Sequence, residues 1–156
     1  MSIFSKISRP QLKHSTFNLS HTRKFSLNPG ELTPMFCQEV IPGDRWNVST
    51  SQMLRFAPMV SPVMHECNVF THFFFVPSRI MADVWENFIT GGESGIEEYG
   101  LPTVTNLNVQ VGGLADYLGL PQGLIEEQIS LLPFHAYNMI YDQCIVTGKQ
   151  IGRAHV

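Results

Sequence analysis

The stretch that decides the fold is Asn68-Val69-Phe70-Thr71-His72-Phe73-Phe74-Phe75-Val76-Pro77. Four phenylalanines, two valines and a threonine fall within nine residues. β-Branched and aromatic side chains suit a pleated surface, and Pro77 ends the run by withholding a ladder donor. Alternation places Val69, Thr71, Phe73 and Phe75 on one face and Phe70, His72, Phe74 and Val76 on the other. Both faces are apolar, so the segment reads as a strand inside a larger body. A buried aromatic hides about 150–250 Å², so four in one strand demand an extensive covering surface.

Working outward, the 156 residues are enough for one ordinary domain. Charged residues make up only 15%, against about 25% in an average protein. A Phe-rich, Pro-rich chain short of ionic groups points to a surface covered by partner subunits. No apolar run reaches the ~18–20 residues of a membrane helix, so no membrane partner is expected. No secretory signal is evident at Met1–Lys6. Cys37, Cys67 and Cys144 are odd in number and lack CxxC spacing, which disfavours a disulfide framework or structural zinc and fits a reducing compartment.

The net charge of −3 hides an asymmetry. Residues 1–30 carry Lys6, Arg9, Lys13, Arg23 and Lys24 and no acid, while all thirteen acids lie beyond. We read 1–30 as an extended basic arm that orders only against something else. Its five cations are candidate contacts for single-stranded DNA, with Phe17, His14 and His21 interleaved, or for acids of a neighbouring subunit.

Short strands are expected at 35–41 and 45–48, separated by the turn Pro42-Gly43-Asp44. Pro58 and Pro62 exclude regular helix or central strand, so 57–64 should be extended and packed on the core. Ser78 can cap a helix over 79–89, stopped by Gly91-Gly92. A long loop over 91–111 should hold one weak strand at 103–109. A short helix over 114–118 is closed by Gly119 and Pro121, and Pro133 opens a last helix from Phe134 to about Gln143. With no βαβ alternation, the pattern favours an elaborated antiparallel barrel or sandwich. Trp46, Phe70, Phe73, Phe74, Phe75, Trp85 and Phe88 are the candidate core and assembly residues.

Little catalytic chemistry is visible. His65-Glu66-Cys67 and His72 do not repeat in a zinc-like spacing; His72 reads as an interior or interface histidine. Cys37 and Cys67 lack the local signature of a nucleophile. Gly91-Gly92-Glu93-Ser94-Gly95 lacks the ending of a phosphate loop, and Glu97-Glu98 and Glu126-Glu127 read as solvated. No enzyme, cofactor or metal is expected.

The blocks Phe17-Asn18-Leu19-Ser20-His21-Thr22-Arg23-Lys24, Glu39–Asp44, Pro58–Met64, Phe73–Arg79, Asp116–Pro121 and Leu132–Asn138 occur in an order that resembles the major capsid proteins of microviruses, specifically the gokushovirus branch of small single-stranded DNA phages. Asn18 and His135 depart from the family's usual Asp and Arg. The resemblance implies a mainly β jelly-roll barrel, incomplete here, with long loop and helical insertions over 31–143. It implies a structural subunit of a T=1-type icosahedral shell: a homo-oligomer with other virion proteins as partners, assembled in the host bacterial cytoplasm and resident in the virion. The resemblance stops near Gln143. Gln150–Val156 can be coded CAG ATC GGA AGA GCA CAC GTC, which resembles sequencing-adapter read-through, so 144–156 is expected to be a tail foreign to the family on an amino-terminal fragment. A carbohydrate- or ligand-binding β-sandwich is the alternative from another class; a cupin-like enzyme would need a histidine cluster that the sequence lacks.

Overall fold

A computed structural model describes residues 13–143; Lys6, Arg9 and the tail 144–156 lie outside the described residues. Among the described residues the regular elements all lie at Ser78 or beyond. They are α1 (Ser78–Met81), α2 (Trp85–Thr90), β1 (Thr103–Val104), β2 (Leu107–Val109), α3 (Leu114–Leu118), β3 (Gly123–Ile125), β4 (Ile129–Ser130) and α4 (Leu132–Tyr141).

Among the described residues the strands form two small antiparallel sheets and no closed barrel. Thr103 and Val104 face Ser130 and Ile129, while Leu107, Asn108 and Val109 face Ile125, Leu124 and Gly123. The two pairs are thus one antiparallel crossing of 103–109 against 123–130, interrupted at Asn106. There the backbone turns left-handed at φ 56, which asparagine tolerates better than most residues. Val109 is 4% exposed and Ala82 7%, and these two are the buried apolar residues of the described chain.

α3 follows its local chemistry. Gly113 occupies the N-cap in an extended conformation, and the Asp116 carboxylate reaches back past it to accept the Gly112 N–H at 2.9 Å, which also places an acid in the first turn. At the other end Gly119 turns left-handed at φ 101. Its N–H donates to the Asp116 carbonyl, and the Leu120 N–H donates to the Ala115 carbonyl, the paired bonds of a Schellman stop. α4 opens with proline in its first turn, as expected, although it begins at Leu132.

Several expectations need correction. The helix over 79–89 is two helices. Ala82 is extended (φ −140, ψ 116), and Pro77, not Ser78, holds the N-cap position of α1 without a side-chain cap bond. The cause is visible at Met81: its carbonyl, which a continuous helix would offer to the Trp85 N–H, sits 3.1 Å from His135 Nδ1 on α4, and the Trp85 N–H turns to the Ala82 carbonyl instead. The strands expected at 35–41, 45–48 and 68–77 adopt no ladder, because none of the two sheets' strands lies there to pair with them. They run as irregular extended chain, so the described residues hold more helix than strand. The segment 57–64 is not packed on a core: Val60 is fully exposed and Met64 87% exposed.

Candidate functional site: an apolar ribbon and a fastened arm

Two features dominate the first half of the molecule. The first is the ribbon 68–77. Phe70, Phe73, Phe74 and Phe75 are all exposed, Phe75 to 79%. His72, expected in the interior or at an interface, is exposed in this chain, with its ring between those of Phe70 (centroids 6.4 Å) and Phe74 (6.2 Å), as i, i±2 neighbours on one face should be. Gln52 Nε2 donates to the Thr71 hydroxyl on the opposite face. Trp46 and Phe88 are also exposed, while Trp85 is half-buried with its ring 5.9 Å from Phe88.

Magnitudes separate this from an ordinary surface. Among the described residues Ala82 and Val109 are the buried apolar side chains, whereas Phe17, Phe56, Phe70, Phe73, Phe75 and Ile89 are each more than half exposed. Between the extended segments and α4 lies an open hollow of about 5280 Å³, bordered by residues as distant as Phe17, Phe74 and Tyr137. Small-molecule sites occupy about 300–1,000 Å³. The hollow is larger than a small-molecule site.

The second feature is the arm. Arg23 Nη1 donates to the carbonyls of Met35 (2.9 Å) and Tyr117 (2.8 Å), and Nη2 to that of Asp116 (3.2 Å). The Tyr117 hydroxyl donates to the Ser26 carbonyl at 2.7 Å, and its ring meets Phe25 edge-on at 6.0 Å. The Tyr137 hydroxyl donates to the Leu32 carbonyl at 2.9 Å. Burial, with smaller contributions from Tyr141 and Glu31, raises the Tyr137 phenol above its ordinary pKa. These contacts run from the arm across the 30/31 position into the body. Lys13 and Lys24 are exposed, and so is His14. The structure thus separates Arg23 from the other described cations of the arm. No sequence signal pointed to this role, since a single arginine among five cations carries no pattern.

Cys37 and Cys67 are free and exposed. Partial desolvation of the sulfur nevertheless raises the Cys37 thiol, the wrong direction for an activated nucleophile. Among the described residues no three His, Cys, Asp or Glu side chains are grouped as a metal would require, and no helix is long and apolar enough to cross a membrane. Glu97 accepts hydrogen bonds from the Tyr99 hydroxyl and, at 3.1 Å, from Ser94; the two bonds, that of Tyr99 first, lower its carboxyl.

The described residues thus combine an exposed apolar ribbon with an arm fastened to a small helical and hairpin unit. The chain belongs to the capsid protein (F protein) family, whose model matches residues 5–146. It is 35% identical to Capsid protein VP1 of Chlamydia phage 1 over 90% of its length, and 34% identical to Capsid protein VP1 of Bdellovibrio phage phiMH2K over 98%. It is 25% identical to Capsid protein VP1 of Spiroplasma virus 4 over 88%. These relatives bear out the gokushovirus resemblance. The chain spans 25%, 30% and 26% of their respective lengths. No solved structure matches the chain significantly.

Proposed function

We propose that this chain is part of a structural subunit of a small icosahedral, T=1-type shell enclosing single-stranded DNA, and that it performs no enzymatic step. The observation that carries the reading is the ribbon 68–77 with its four exposed phenylalanines beside the open hollow, in a chain of the capsid family. In this reading residues 35–41, 45–48 and 68–77 become strands of a jelly-roll barrel once the remainder of the subunit supplies partner strands. Trp46, Phe70, Phe73, Phe74, Phe75, Trp85 and Phe88 then pass into the barrel core or the contacts between subunits. Burial of apolar faces drives closure and association. The part before residue 31 acts as an arm, and Lys6, Arg9, Lys13 and Lys24 face packaged DNA or acids of a neighbour. Other copies of the subunit and further virion proteins are the partners, the virion is the destination, and the host cytoplasm is where assembly takes place.

The experiment is expression of the complete gene followed by electron microscopy and sedimentation. Closed shells of uniform diameter are expected. A complete product that stays monomeric at high concentration refutes the proposal.

A further inference from the structure

Alternate side chains of 21–25 end on this chain's own atoms. The His21 ring lies 5.2 Å from that of Phe36, Arg23 reaches its three carbonyls, and Phe25 meets Tyr117. Of the five residues Arg23 alone is half-buried; His21, Thr22, Lys24 and Phe25 are exposed. Asp116 and Tyr117 lie in the last turn of α3, at the negative end of its dipole. The Asp116 carbonyl also accepts the Gly119 N–H at 3.0 Å, so Arg23 adds a second donor there and reaches the Tyr117 carbonyl as well. A planar guanidinium with five donors can bond three carbonyls together; an ammonium on a flexible stem reproduces that fork poorly. Two tyrosine hydroxyls then fix the chain on both sides of the Asn28–Gly30 turn, at Ser26 and at Leu32.

We propose that residues 21–35 are an internal strap, that Arg23 is the fastener that sets its path by capping α3, and that Arg23 is thereby withdrawn from any contact with nucleic-acid phosphates. The arm has a fastening face of His21, Arg23 and Phe25 and an outward face that includes Lys24. This inference is independent of the shell reading, because its main readout is the strap itself.

The test uses the complete protein with Arg23→Ala, Arg23→Lys and, should the first fail to fold, Tyr117→Phe, which keeps the ring and removes only the bond to Ser26. Limited proteolysis within 22–36 is followed, and binding of a single-stranded oligothymidylate is titrated against salt. In Arg23→Ala cleavage within the strap is expected to be about tenfold or more faster, in keeping with the loss of charge-assisted bonds. Arg23→Lys should recover only part of that resistance, and Tyr117→Phe should speed cleavage around Ser26. The oligonucleotide titration should match the parent protein's in every variant. Parent-like strap cleavage in Arg23→Ala or in Tyr117→Phe overturns the proposal. So does a weakened oligonucleotide titration with strap cleavage unchanged, which would return Arg23 to a phosphate contact.

Discussion

Truncating the four ribbon phenylalanines to alanine, one at a time, should cost little in the described chain and much in the complete protein. The structure ranks the difference. Phe75 is 79% exposed, Phe73 66%, Phe70 59% and Phe74 42%. If full covering removes what is now exposed, and a phenylalanine offers about 200 Å², Phe75 has about 160 Å² still to bury and Phe74 about 85 Å². At about 25 cal/mol per Å² these areas correspond to about 4 and about 2 kcal/mol. The complete protein should therefore lose most stability with Phe75→Ala and least of the four with Phe74→Ala, measured relative to the same change in the described chain. Thermal unfolding of purified shells, together with particle yield, is the assay. Phe75→Ala particles that form at parental yield and melt at the parental Tm would refute the argument that this ribbon is interior.

Three further outcomes are expected. Gly91→Ala should disrupt the turn after α2: Gly91 has φ +74, an added Cβ would lie 2.6 Å from the Gly95 carbonyl oxygen, and a left-handed non-glycine residue costs about 1–2 kcal/mol before that clash; proteolysis within 91–96 should accelerate. The Glu97 carboxyl is held below its ordinary value by Tyr99 and then Ser94, so its contribution is present above the unfolded-state pKa and fades as pH falls through the folded one. Carboxyl chemical shifts should show the depressed titration in the parent protein and a return toward the ordinary value in Tyr99→Phe. The Tyr137 phenol is raised, first by burial, so its contribution is complete below the unfolded-state value of about 10 and is lost as pH rises through the folded value. The Tyr137 ring carbon chemical shifts should therefore titrate above the ordinary tyrosine range, and cleavage near Leu32 should be faster in Tyr137→Phe.

Local chemistry made some of this architecture readable in advance. α3 lies where 114–118 was expected because its start and stop are both local: Gly113 and Asp116 at one end, Gly119 at the other. α4 carries its signal in Pro133. The break at Ala82 was hidden, because it depends on His135, 53 positions away, occupying the Met81 carbonyl. β3 and β4 were missed because three and two residues are too short to show alternation, and their register comes from β2 and β1. The two apolar faces of 68–77 were legible as composition, but composition names no partner, and a strand exists only in a ladder. Arg23 was legible only as one of five cations. Its carbonyl partners at 35, 116 and 117 lie too far along the chain for spacing to reveal.

The division between a fastened hairpin-and-helix unit and an unpaired aromatic ribbon also bears on solubility. The unit around α3 and α4 holds its own partners, whereas Phe70, Phe73, Phe74 and Phe75 stand exposed on extended chain. Unpaired, apolar extended backbone is a template for another chain, so any copy left uncovered is open to aggregation through this ribbon.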